Sequence, residues 1–569
     1  MVSKPVTSRS ISRSALLISV LAGACGSPAA PPEAPSAIRV DYVLFGGDIR
    51  TMDPQRPHAT AVAIGDARVL AVGTDAEVLA LAGPRTEKIA LDGATVTPGL
   101  IDAHCHLYGL GVDLEAVSVR ALPSEVETVR VVAAAAAKRP ATEWLLGRGW
   151  DQNRWPGQAF PTRTSLDAAI ADRPVLLRRV DGHAIWVNSK ALAAAKITKA
   201  TPDPAGGKIV RDASGEPTGV LIDNAVDLVD STIPAASAEV IRRRITDAQQ
   251  LALAAGITAV HEMGIDARTV DVYEEMAANN QLGLRVYAYF AGDASKPEAL
   301  EFLTSRKPRS TGRFHLHGVK FFADGALGSR GARLYTKYGD DDQVGLWVTD
   351  PAVLAAGIEV AVAHGWQVAI HAIGDAAVGV TLDGYLAALR KHPGDRRLRV
   401  EHTQVIAPQD VEKMLAAKAI ASMQPTHATS DMPWAEQRIG AERIRGAYAW
   451  RTMLDKGIPL AAGSDFPVEE VAPLLGIYSA VTRQDASGGP AGGWYPGQKL
   501  TLDEAIAAFT RGAAYAEFRE TTHGTIEVGK PANLTVFDRA LAADRSLLET
   551  RVELTIVDGG IAYRRQAAR

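Results

Sequence analysis

Cysteine is nearly absent from this chain. It has two in 569 residues, Cys25 and Cys105, and they stand in unlike contexts, which argues against a disulfide framework. Basic runs are also missing beyond short clusters such as Arg242, Arg243 and Arg244, and the net charge is -4. No electrostatic footprint for a nucleic-acid partner exists. Internal repeats of about 20–50 residues are lacking too, which removes solenoid and propeller architectures. What remains is ordinary globular material, 47% hydrophobic and 22% charged, with ample core. The length suits two to four domains or one long α/β barrel.

The N-terminus departs from that background. Lys4, Arg9 and Arg13 form a positive region, and ALLISVLAGA (15–24) is an apolar stretch too short to span a bilayer. Small residues Ala22, Gly23 and Ala24 then precede Cys25. Residues 1–25 resemble a bacterial lipoprotein signal, in which Cys25 is acylated and becomes the mature N-terminus; Ala22 departs from the more usual Leu. A plain secretory signal cleaved nearby is the alternative. Residues 26–37, rich in proline and alanine, follow as a flexible tether. The expected location is thus outside the cytoplasm: a lipoprotein facing the periplasm or cell exterior, touching the membrane by its lipid anchor only.

Beyond the tether, VDYVLFGGDIRTMD, AVAIGDARVLAVG and EKIALDGATVTP read as strands, and GTIEVGKPANLTVFD and VELTIVDGGIAYRR echo them at the far end. Residues 38–94 and 515–569 are expected to form one small β-sandwich. Between them eight runs read as strands: 96–106, 256–262, 284–290, 317–323, 367–371, 398–402, 420–425 and 458–465. Helical patterns such as 238–255 and 351–364 separate most of them. Eight β/α units predict an α/β fold, a TIM barrel over residues 95–514. The gap between the first two strands is too long for a loop. Residues 111–235 are therefore expected as an inserted subdomain.

Five of the segments end in residues suited to holding a divalent metal and activating water: PGLIDAHCHL (His104, His106), GVKFFADGA (Lys320), VAIHAIGD (His371), RVEHTQ (His402) and AAGSDFP (Asp465). They fall on strands 1, 4, 5, 6 and 8, mostly at the C-terminal ends, where this fold places its chemistry. His104 and His106, at i and i+2 on a strand, share one face, and Cys105 between them points to the helix layer as a packing residue. Lys320 sits in an otherwise apolar strand. Burial there favours its neutral amine, which can add carbon dioxide and become an anionic carbamate bridging two cations. A buried lysine paired with Asp324 or another carboxylate is the plainer alternative. Asp465 can both ligate metal and accept a proton from water. A lone histidine is more often a satisfied core residue than a ligand, so His315, His317, His364, His392 and His523 are set aside.

These segments, with GSDFPVEEVAPLLGIYSAVTR, LTLDEAIAAFTRGAA and GTIEVGKPANL, closely resemble the amidohydrolase superfamily. The best fit is its family 3 branch of metal-dependent hydrolases, which includes N-substituted formamide deformylases. The resemblance runs from about residue 40 to 564. It implies a TIM barrel holding one or two metals, usually zinc, a metal-activated hydroxide, Asp465 as catalytic base, and in binuclear members a carboxylated Lys320. The expected centre has two zinc ions, His104 and His106 on one with Asp465, His371 and His402 on the other. Asn533 stands where the motif usually has Asp, and LIDNA (221–225) replaces a segment that often carries Glu. His183, in DGHAIWVNS of the insertion, resembles a segment lying over the pocket and is expected to polarise the substrate carbonyl or bind substrate; a structural role is the alternative. His261, Asp324 and His427 are expected to line the substrate pocket.

The leading expectation is a hydrolase of amide, formamide or N-acyl C–N bonds in a small molecule. The same site suits a lactonase, an esterase or a deaminase. A non-catalytic solute-binding lipoprotein is the reading from another class, and the five intact ligand sets argue against it. A homodimer is an open expectation.

Overall fold

The computed structural model describes residues 39–566, so the signal, Cys25 and the tether lie outside the described residues. Its centre is a nearly closed barrel of eight parallel strands: β1 (Leu100–Cys105), β2 (Ile257–Ile265), β3 (Arg285–Ala291), β4 (Phe314–Phe322), β5 (Gln367–Ala372), β6 (Arg399–His402), β7 (Ile420–Met423) and β8 (Leu460–Ala462). The strands follow one another around the sheet in chain order, and a short strand, Arg309–Thr311, pairs antiparallel with β4. Helices cover the outside, so most strand positions are buried on both faces, which is why they read as apolar runs in the sequence. The helix Ala238–Ala254 is typical. Ser237 accepts from the Val240 N–H at its start, and Ile241, Ile245, Ala248 and Ala252 form a buried stripe at spacings of three and four.

The first and last strands meet through a polar seam rather than a regular ladder. The Asp465 N–H donates to the His104 carbonyl at 2.7 Å, and the His106 N–H donates to the Phe466 carbonyl at 2.8 Å. Beneath them the buried Asp102 carboxylate accepts from the His104 N–H at 3.1 Å, the Ser464 N–H at 3.1 Å and the Ser464 hydroxyl at 2.6 Å. Gly463 lies so close that a Cβ would run into the His104 nitrogen and the Asp102 carboxylate. The glycine of AAGSD is therefore a packing requirement of barrel closure.

Both chain ends contribute to sheets beside the barrel. A six-stranded sheet runs Gly560–Arg564, Val552–Val557, Leu534–Phe537, Thr95–Pro98, Asp48–Arg50, His58–Ala59, and a four-stranded one runs Arg68–Gly73, Ala61–Gly65, Tyr42–Phe45, Glu87–Ala90. They share a core that includes Leu44, Val62, Ile64, Val96, Leu534, Val536 and Ile556. The boundary differs from expectation. Residues 95–98 belong to this sheet, with Val96 opposite Val536, and the barrel begins only at Leu100. The run 96–106 reads as one strand because both halves are buried; the break at Gly99 carries no polar signal. At the other end, Leu502–Ala507 and Ala513–Ala516 are helical, so the C-terminal strands start at Leu534.

Between β1 and β2 lies a separate six-stranded sheet, ordered Gly207–Arg211, Pro217–Asp223, Ala184–Val187, Val175–Arg179, Leu145–Trp150, Val117–Ser118. One of its cores gathers Trp150, Trp155 and Trp186; the other gathers Leu176, Ile185, Leu192 and Leu221. Among the described residues no helix is long and apolar enough to cross a membrane.

The seam predicts a stability effect. Asp102→Ala leaves three buried donors without their acceptor and is expected to destabilise the fold by about 3 kcal/mol. Urea unfolding measures this; a midpoint equal to that of the unsubstituted protein would show that the seam does not hold the barrel shut.

Candidate active site

A cavity of about 300 Å³ opens at the C-terminal ends of the strands and is lined by His104, His106, Lys320, His371, His402 and Asp465 together. Residues from five distant segments thus converge. Two of them sit in the left-handed backbone region, His402 at φ +72° and Asp465 at φ +61°, which is uncommon for residues other than glycine. The turn at His402 breaks strand alternation, so Glu401 and His402, though adjacent, both reach the interior.

The hydrogen bonds fix which nitrogen of each ring is free. His104 Nδ1 lies 2.6 Å from Glu401 Oε2, and a carboxylate only accepts, so Nδ1 carries the proton and Nε2 keeps its lone pair. His402 Nδ1 lies 2.8 Å from Gln424 Oε1, whose amide nitrogen in turn donates to the Ser422 carbonyl. Nε2 of His402 is therefore free as well. His371 Nε2 donates to the Gly325 carbonyl at 3.3 Å, which leaves Nδ1. The His104 and His106 Nε2 atoms lie 3.6 and 3.3 Å from Asp465 Oδ1, and Lys320 Nζ lies 3.4 Å from His104 Nε2.

Charge is arranged to keep these donors available. Burial holds His104 at about 4, helped by Lys320, and pushes His371 and His402 well below the usual imidazole range. Burial also brings Lys320 down to about 8 against the pull of Glu401 and Asp465. Burial would raise Glu401, yet Arg399 and His104 hold it well below the carboxylate range. Asp465 likewise stays far below that range despite burial, because His104, His106 and His427 surround it. Burial works against the charge on His427, but Asp465 and Glu469 outweigh it and lift that imidazole to about 10. Flanked by Asp465 Oδ2 at 3.3 Å and Glu469 Oε1 at 3.0 Å, it is a cationic clamp on Asp465.

The donor set fits a divalent metal. Ligand atoms of His104, His402 and Asp465 all lie within 4.8 Å of one another. Asp465 Oδ1 is buried without a hydrogen-bond partner among the described residues. Neutral imidazole nitrogens with a carboxylate oxygen are what zinc and similar ions take. This cluster draws two members, His104 and Asp465, from one side of the expected division and one, His402, from the other, because strands 1, 6 and 8 aim at the same point. The His371 and His402 rings are also neighbours, 4.6 Å apart between centroids.

His183 and His427 line the cavity; His261 and Asp324 do not. β2 runs on to Ile265, so His261 lies within the strand and points into the barrel interior, 2.6 Å from Arg399. The Asp324 carboxylate is turned away to accept from the Ile373, Gly374 and Arg333 N–H groups, anchoring the following loops. It is not the partner of Lys320. Cys105 is fully buried in the main core. Glu401, Arg399, Gln424 and Asp223 were not singled out from the sequence. The signal available was a pair of opposite charges at i and i+2, Arg399 and Glu401, in an otherwise apolar strand.

Comparison with known proteins agrees with this geometry. The model described as "Amidohydrolase family" matches residues 87–563. The chain is 35% identical over 533 residues to the provisionally named amidohydrolase YtcJ of Bacillus subtilis (strain 168), covering 92% of this chain and 99% of that one. It is 29% identical over 556 residues to the N-substituted formamide deformylase of Arthrobacter pascens, covering 92% and 98%. Among solved structures, an uncharacterized metal-dependent hydrolase from Pyrococcus furiosus superposes with a TM-score of 0.68 at 29% identity, over 88% of this chain and 99% of that one.

Proposed function

From the premise that this chain belongs to the amidohydrolase family and is a metal-dependent hydrolase of C–N bonds, we propose that it cleaves an amide, formamide or N-acyl bond in a small molecule. The observation that carries this reading is the single cavity lined by all six ligand-type residues, His104, His106, Lys320, His371, His402 and Asp465. When bound, a divalent ion such as zinc makes water a competent nucleophile at neutral pH and polarises a carbonyl oxygen. His104, His402 and Asp465, joined by His106, His371 and Lys320, would hold one or two such ions. A carbamate on the buried Lys320 would supply the bridging anion.

The chain's own residues then handle orientation and protons. Asp465 takes the proton of the attacking water and delivers it to the leaving nitrogen; the His427 contact at Oδ2 keeps the carboxylate turned to the reacting atoms. His183 presents Nε2 to the cavity, because Nδ1 is engaged by Asp223, and there it contacts the substrate carbonyl. Arg179, buried between Asp151 and Asp181, stiffens the wall that the 117–223 sheet contributes.

The same reading extends to the rest of the chain. The two terminal sheets act as a β-sandwich and the sheet over 117–223 as an inserted subdomain that lids the barrel. A homodimer is part of the proposal and is checked by solution mass.

Asp465→Asn is expected to keep its metal but lose about 10²–10⁴-fold in turnover of amides and formamides, whereas near-full activity would remove Asp465 as the base. In the same assay Lys320→Ala loses metal or activity. Partial restoration by short carboxylates supports the carbamate, and no restoration by any of them counts against it.

The N-terminal segment is proposed to export the chain and anchor it through acylated Cys25, since positive, apolar and small residues precede that cysteine in order. Several acyl chains would hold it stably where one would not. Native protein is expected in the membrane fraction and a Cys25→Ser variant in the soluble exported fraction. Finding both in the cytoplasm with residues 1–24 attached would refute export.

A further inference from the structure

His183 and Asp223 meet where two antiparallel strands of the 117–223 sheet end over the barrel. The Asp223 N–H donates to the His183 carbonyl at 2.8 Å, and His183 Nδ1 lies 2.8 Å from Asp223 Oδ1. Asp223 closes its strand at φ +49°, a left-handed conformation that takes its side chain out of strand alternation. Its side chain is 1% exposed, and Oδ2 is buried without a hydrogen-bond partner among the described residues. Leaving a carboxylate oxygen so is costly. The cost is borne here beside an imidazole that lines the active cavity, with its ring 4.8 Å from that of His371.

The loop after β4 is shaped around the same carboxylate. Gly325 and Gly331 both press on it, and a Cβ at either position would collide with its oxygens. Gly325 also supplies the carbonyl that accepts from His371 Nε2. One carboxylate therefore contacts the ring of His183 and abuts the residue that sets the ring of His371.

Resting on the hydrolase reading above, we propose that Asp223 is a positioning residue for His183. It holds Nδ1 in the protonated form and aims Nε2 at the substrate's polar atom over the metal-ligand histidines. Asp223 itself touches no reacting atom; it acts through His183. Gly331 is part of the device, because it gives the carboxylate its room.

The test uses the full chain with ¹⁵N-labelled histidine, the His183 ring signal being identified by its loss in His183→Gln. In the unsubstituted protein Nδ1 of His183 is expected to carry the proton. In Asp223→Ala that signal should collapse to a mixture of tautomers. Gly331→Ala, which keeps Asp223 but crowds it, should shift the signal the same way. With 4-nitroformanilide as probe, Asp223→Ala should lower kcat by about 10–100-fold with KM moving less than about threefold. It should add less than about twofold once His183 is already Gln. An unaltered His183 signal in Asp223→Ala, or an equal loss of activity in the His183→Gln background, overturns the proposal. Asp465→Asn assayed alongside separates the two readings. Full activity there sinks the hydrolase mechanism, while the ring signal decides Asp223 whether or not the probe is turned over.

Discussion

The site depends first on the buried carboxylate of Asp102, which ties the opening strand of the barrel to its closing one. A parallel barrel closes only if its first and last strands pair, and β8 is three residues long. It is too short for a ladder to do that work. Asp102 replaces the ladder with three donors drawn from both sides, His104 N–H and the two donors of Ser464. The residues on either side of that carboxylate, His104 and Asp465, are two of the three whose ligand atoms meet. Closure and site assembly are therefore one event in this fold.

A second constraint is electrostatic. The barrel interior beneath the cavity is not apolar: Arg399 donates to both Glu401 oxygens and faces His261, Tyr289 and Ser422. A buried guanidinium needs a fully bonded environment to be tolerated. Here that environment also keeps Glu401 ionised, and the ionised Glu401 orients His104. Burial meanwhile keeps the imidazoles neutral. The donors stay deprotonated where a cation would sit, and the positive charge is displaced to His427 and Arg399 on either side.

The barrel and the meeting of the six metal-ligand-type residues in one cavity were legible in the sequence because each of those residues closes an apolar run, a pattern that survives without coordinates. Less of the second tier was. His261 looked like a strand end, yet β2 continues for four residues beyond it and turns the ring into the interior. Asp324 looked like a partner for Lys320, but backbone N–H groups of two later segments claim its oxygens, and nothing in a linear reading shows where loops will return. Glu401 precedes His402 on the strand, where simple alternation would point it away from the interior; the left-handed backbone at His402 lets both side chains face inward. Asp223 lies in LIDNA, a segment noted for lacking a glutamate. Its partner is 40 residues away in sequence, across a strand pairing that no local pattern encodes.

The pairing of Val96 with Val536 bears on how the molecule comes into being. The N-terminal strand Thr95–Pro98 is among the earlier parts of the chain to be made, and its partner Leu534–Phe537 is among the last. During synthesis that strand must wait with an edge open while more than four hundred residues follow. Gly99 alone separates it from β1, so His104 and His106 follow directly on a strand whose outer neighbour is settled only at the end. The catalytic cavity is consequently a late product of biogenesis. A chain stalled or clipped before its final strands would carry every ligand residue and still lack the framework that presents the first pair.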